Sequence, residues 1–120
     1  MTWMTIRLEL ARTKEYPNGS SAHAYMLRLP LDEQGLIDAD SWRAGKERAT
    51  VRRFWPNEPD QSGSVIRTRG GGWAFSYEIG DDDDEPIFHL QDHPIRVGEY
   101  LTITETDGDR LTFKVVSCHP

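Results

Sequence analysis

Leu101-Thr102-Ile103-Thr104-Glu105-Thr106-Asp107-Gly108-Asp109-Arg110-Leu111-Thr112-Phe113-Lys114-Val115 alternates apolar and polar residues and is interrupted once by turn formers. Alternation of period two marks strands with one buried face, and the Thr-Asp-Gly-Asp break marks a hairpin between them. The parity of the two halves limits the connection. A two-residue Asp-Gly turn pairs Glu105 with Arg110 and Thr102 with Phe113, which sets Leu101 and Ile103 on the opposite face from Phe113. An odd-length loop of three or five residues, or a bulge, pairs Ile103 with Phe113 and Leu101 with Val115 and leaves Thr104 outside against Thr112. A one-residue slip exchanges every side chain between faces, so a single core requires the odd-length connection.

The same alternation recurs along the chain. Met4, Ile6, Leu8 and Leu10 share one face of a first strand, with Thr5, Arg7 and Glu9 on the other. Tyr16-Pro17-Asn18-Gly19-Ser20-Ser21 is a turn. A second strand follows with Tyr25, Leu27, Leu29 and Leu31 inward and Met26 and Arg28 outward. Thr50 to Trp55 reads as a strand that stops at Pro56, because proline removes a ladder donor. Ser64 to Arg69 and Trp73 to Ile79 flank a glycine triplet, and Ile87 to Leu90 is a short strand. The one credible helix starts from a cap at Asp38 or Asp40 and runs through Ser41, Trp42 and Lys46, shortened by Gly45. Seven to eight short strands with one short helix predict an all-β, mainly antiparallel small barrel or sandwich, as a single domain over 1–120.

The 120 residues are 37% hydrophobic and 28% charged, which suits an ordinary globular chain with one core. No apolar run approaches a membrane span, and the first ten residues alternate where a signal peptide would be uniformly apolar. Cys118 is the only cysteine, so an intrachain disulfide is excluded. Together these features make the cytoplasm the expected location and leave no membrane role. A net charge of -6 argues against nucleic acid as a general partner, since phosphate neutralisation needs clustered positive charge. That charge is unevenly spread. Arg43 to Arg69 carries seven bases against three acids, a local +4, and Glu78 to Asp92 carries seven acids and no Lys or Arg, a local -7.

The stretch Arg69-Gly70-Gly71-Gly72-Trp73-Ala74-Phe75-Ser76-Tyr77 opens a strand with its glycines, whereas a phosphate cradle opens a helix, so a hairpin turn is expected. A three-residue loop places Trp73 opposite Arg69 and Phe75 opposite Arg67. A two-residue loop places Phe75 opposite Ile66 and makes the stripe a core lining. Asp81, Asp82, Asp83 and Asp84 are a weak metal candidate, because consecutive carboxylates cannot all converge on one ion and Pro86 stands where a calcium loop needs glycine. His89 and His93, spaced H-x-x-x-H, would align for zinc on a helix, but Pro94 argues against one. Cys118 and His119 point to opposite faces of a strand and make no nucleophile and base pair. Neither a cofactor motif nor a catalytic motif stands out.

Arg52-Arg53-Phe54-Trp55-Pro56-Asn57-Glu58-Pro59-Asp60 is a dense motif. With GGGWAFSY, DDDDEP and GEYLTITETDG it resembles a family of small uncharacterised alphaproteobacterial proteins over most of the chain. The resemblance implies a stand-alone bacterial domain and carries no catalytic residues with it.

The expected function is a noncatalytic binding module for a protein or small ligand. Its surface would comprise Arg52, Arg53, Trp55, Arg67, Arg69 and Trp73, the residue types that dominate binding hot spots. Two alternatives stay open: a small hydrolase or isomerase with carboxylates and His89 or His93 at a barrel mouth, and a single-stranded nucleic-acid binder that stacks bases on the aromatic stripe. Self-association is open as well, since small barrels often cover strand edges by pairing.

Overall fold

Apolar residues at every second position build β1 (Thr2–Leu10) and β2 (Ser20–Leu31), which pair with Ile6 opposite Leu27 and Leu8 opposite Tyr25. The computed structural model describes residues 1–77, 85–88, 93–105 and 107–120. Its remaining strands are β3 (Thr50–Phe54), β4 (Gln61–Arg67), β5 (Trp73–Tyr77), β6 (Glu85–Phe88), β7 (Tyr100–Thr104) and β8 (Arg110–His119). Each strand pairs antiparallel with the next, and β8 returns to pair with β1, so the sheet closes into an up-and-down barrel. Closure removes the free edges that would invite pairing with another chain.

The parity argument for the β7–β8 hairpin holds. Its connection is five residues long, and Leu101, Ile103, Phe113 and Val115 are all buried. The partners differ from expectation by two residues. Leu101 faces Phe113 and Ile103 faces Leu111, because the loop spends Glu105 and Asp109 on its closure, with the Glu105 N–H donating to the Asp109 carbonyl at 2.7 Å. The β4–β5 hairpin follows neither of the two registers expected for it. Arg67 faces Trp73 and Val65 faces Phe75 across a five-residue turn. Thr68 closes that turn with both its backbone and its side chain: its N–H donates to the Gly72 carbonyl at 2.9 Å, and its Oγ1 accepts the Gly72 N–H at 3.0 Å. The glycines thus form a turn, with Gly71 at φ +83°.

An eight-stranded barrel has an interior just wide enough for side chains to fill. Leu8, Tyr25, Leu27, Leu29, Val65, Phe75, Ile103, Phe113 and Val115 fill it, each at most 1% exposed. Tyr25 stacks near Phe75 and Phe113 with ring centroids 5.2 and 5.1 Å away. The interior is therefore a core and not a calyx, and concave space is left for the ends and outer walls.

The ends differ. At one, the β2–β3 connection carries α1 (Ala39–Ala44), capped by Asp38, whose side chain accepts the Ser41 N–H at 3.1 Å, and stopped at Gly45. Trp42 of α1 is buried; its Nε1 donates to the Val65 carbonyl at 2.9 Å, and its ring meets that of Trp73 nearly at right angles at 5.1 Å. Ile95, only 1% exposed, adds a further apolar contact, and its N–H donates to the Gly35 carbonyl at 2.8 Å. This end is plugged. No helix among the described residues is long and apolar enough to cross a membrane.

Candidate functional site

The other end is where β1, β3, β5 and β7 finish and β2, β4, β6 and β8 begin. Here a bulge distorts the β1–β2 ladder: Glu9 faces Ala24, but Leu10 faces Ser20, leaving Ser21, Ala22 and His23 as extra residues on β2. Bulges of this kind re-aim side chains at barrel rims. Ser20 Oγ and His23 Nδ1 are hydrogen-bonded at 2.7 Å across the bulge, and His23 is 7% exposed. Its Nε2 faces the Tyr16 hydroxyl at 3.4 Å. Tyr16 is held in turn by its loop, its N–H donating to Thr13 Oγ1 at 3.0 Å and its carbonyl accepting the Gly19 N–H at 2.9 Å.

Burial pushes the His23 imidazole below its ordinary value of 6.5; the Arg53 charge acts in the same direction and Glu58 opposes both. The ring is therefore neutral at pH 7. A neutral imidazole donates from one nitrogen and accepts at the other, which matches its two hydroxyl neighbours.

Arg53 follows Val51 on the inward face of β3, and Glu105 follows Leu101 and Ile103 on the inward parity of β7. The two charged groups meet inside the barrel mouth. Arg53 Nη2 lies 3.5 Å from Glu105 Oε1, with side-chain exposures of 12% and 7%. The Tyr25 hydroxyl donates to Glu105 Oε2 at 2.7 Å and accepts from Arg53 Nε at 3.3 Å. Arg53 Nη1 also faces Glu58 at 3.7 Å, and its guanidinium stacks 3.8 Å from the Trp55 ring centroid. His23 meets the same indole edge-on at 4.6 Å.

These groups surround a cleft of about 590 Å³ whose walls include Leu10, Tyr16, Trp55 and Leu111. That is within the size range of small-molecule sites. A broader depression of about 1010 Å³ lies on the outer wall beside Tyr100 and Lys114. Its lining comes from outward strand positions and turn backbone, without the buried charged and aromatic groups that converge at the rim, so the rim cleft is the better candidate.

The six residues expected to form one Arg and Trp surface are separated. Arg53 and Trp55 meet at the cleft. Arg52 lies on the outer wall, 3.5 Å from Asp60 and above the Phe54 ring at 5.5 Å. Arg67 and Arg69 are exposed at the plugged end, Arg67 with its guanidinium 4.6 Å from the Trp73 ring centroid. Trp73 itself is 1% exposed and belongs to the core, as do Phe75 and Tyr77. Side-chain parity explains the split, since Arg52 and Arg53 are consecutive and must face opposite sides of the wall.

Asp81, Asp82, Asp83, Asp84 and His89 lie outside the described residues. His93 is described and faces Glu99 at 3.6 Å, away from the cleft. Burial pushes the Cys118 thiol up, which keeps it protonated. Among the described residues, no three His, Cys, Asp or Glu side chains are grouped to hold a metal ion.

Tyr16, Ser20, His23, Tyr25, Glu58 and Glu105 were not singled out by the sequence reading. One signal was available: Arg53, Glu105 and His23 are polar residues on inward parity at strand ends, where an apolar residue would continue the pattern. No protein family, curated protein or solved structure matches the chain.

Proposed function

We propose that this chain is a noncatalytic binding module that takes a small ligand in the rim cleft. The supporting observation is the convergence, at the rim of a packed barrel and among the described residues, of buried polar groups and half-buried rings. His23, Arg53 and Glu105 supply the first, Tyr16 and Trp55 the second. A mostly preformed concave site with a few placed polar groups is the usual form of a small-molecule pocket. An amide-resolved NMR titration with a small-molecule library tests the reading. Hits should shift the amides of Tyr16, His23, Trp55 and Glu105. Hits that shift only the outer-wall residues around Tyr100 and Lys114 would move the site elsewhere.

A catalytic reading has one specific point in its favour. A neutral histidine and two carboxylates, Glu58 and Glu105, do share a concave site, with His23 in the place expected for His89 or His93. Its weakness is that Glu105 is already held by Tyr25 and Arg53, and His23 by Ser20 and Tyr16. A hydrolase or isomerase would lose turnover on His23→Gln while keeping ligand affinity; a binding module shows no turnover to lose.

A further inference from the structure

We infer that the ligand of the rim cleft is a small organic cation, an ammonium or guanidinium compound with an apolar body; this rests on the rim cleft being the binding site. Three observations lead there. First, the acids lining the cleft are Glu15, Glu58, Glu105, Asp107 and Asp109, against the bases Lys14 and Arg53. The uncompensated sign is negative, as it is for the whole chain at -6, so the field at the mouth draws cations and repels anions.

Second, the cleft already holds a cation of this kind. The Arg53 guanidinium sits 3.8 Å from the Trp55 ring centroid, 3.7 Å from Glu58 and 3.5 Å from Glu105. An aromatic face with carboxylates beside it is the standard arrangement for recognising ammonium and guanidinium groups. Arg53 compensates Glu105 at depth, whereas the Glu58 side chain remains 54% exposed and can accept a second donor from the cleft.

Third, the apolar wall is ready for a ligand body. Tyr16 and Trp55 are half-buried, and Leu10 and Leu111 share the same lining. An anionic ligand would have to compete with Glu105 and Glu58 for Arg53 while facing the remaining carboxylates. A cation contends with Lys14 and Arg53 but not with His23, which is neutral, and it faces the larger number of acids.

Three probes of one shape and different charge test the inference: phenethylamine, phenethyl alcohol and phenylacetate, titrated into the intact chain and read by amide shifts. Phenethylamine should shift the rim amides and bind at least about fivefold more tightly than the alcohol, with the gap narrowing as salt is added. Phenylacetate should be the weakest of the three. Glu58→Gln, at an exposed position where folding is tolerant, should reduce the amine's affinity and leave that of the alcohol unchanged. If the alcohol or phenylacetate binds at the rim as tightly as the amine, the cation inference is overturned and the cleft stands as a site. If none of the three shifts a rim amide in a natively dispersed spectrum, the cation inference falls and, should the library also leave the rim unshifted, so does the cleft.

Discussion

Both ends of this barrel are built from tryptophan and a cation, yet among the described residues only one is closed. At the plugged end Trp73 is 1% and Trp42 7% exposed, and their cations, Arg67 and Lys46, lie over the rings at 4.6 and 5.1 Å. At the rim the arrangement is inverted. Trp55 is half-buried, and its cation, Arg53, is the deeper group, 12% exposed and tied to a buried carboxylate. The difference follows from the connections. The β2–β3 crossing is long enough to form α1 and press Trp42 inward, whereas the β3–β4 link, 55–60, is a short proline-containing turn that leaves the indole at its edge. The same residue types therefore close a core at one end and line a cleft at the other.

The sharpest test of that contrast is a pair of truncations. Trp73→Ala removes a fully packed ring and should lower unfolding free energy by about 3–5 kcal/mol. Trp55→Ala removes a half-exposed ring and should lower it by less than about 2 kcal/mol, mostly through the lost Arg53 stacking. Urea denaturation of both variants measures the difference. Equal losses would mean that the rim is as tightly packed as the plug, and the contrast would collapse.

Next in size is the buried pair at the rim. Glu105→Leu leaves Arg53 inside the mouth with Glu58, 54% exposed, as a remaining carboxylate, so a loss of about 2–4 kcal/mol is expected. Replacing both, with Arg53→Met in the Glu105→Leu background, should recover part of that loss, because no buried charge is then stranded. A double variant worse than either single one would show that the pair is not the stranded-charge system described.

Much of the fold was legible because strand parity is a local property. The inward faces of β1 and β2, the odd-length β7–β8 connection, and a short helix capped at Asp38 or Asp40 all follow from spacing and turn chemistry, although the helix ends at Ala44 and not at Lys46. The β4–β5 register did not, because Thr68 joins the turn through its side chain, and glycine counting cannot foresee that. The site was less legible still. Tyr25 and Glu105 are 80 residues apart, and they meet only once the whole barrel is in place. His23 shares the inward parity of Tyr25 and Leu27, but the bulge that brings Ser20 against it leaves no composition signal. What the sequence did carry was the parity of Arg53 and Glu105, two charges on core-facing positions.

His23 gives a smaller, pH-dependent effect specific to the rim. Its folded pKa lies below 6.5, so above that value both folded and unfolded states are neutral and the group contributes no pH dependence. As pH falls below 6.5 the unfolded chain takes up the proton first, and stability declines until the folded value is passed. The advantage of the wild type over His23→Gln should shrink as pH falls through 6.5 and below, as followed by thermal unfolding. A difference that stays constant with pH would mean that the imidazole is not sheltered at the rim.

The smallest effect is expected on the outer wall, where Arg52 and Asp60 face each other at 3.5 Å with side chains 58% and 44% exposed. Solvent screens such a pair, and holding two mobile side chains together offsets most of the attraction. Arg52→Ala should change stability by less than about 0.5 kcal/mol, and it should leave binding at the rim unchanged because the side chain is on the other side of the wall from Arg53. Arg53→Ala, one residue along, should do the opposite on both measures. Two adjacent arginines with opposite outcomes in the same denaturation and titration experiments would separate wall from mouth; similar outcomes would place the binding surface on the outer wall.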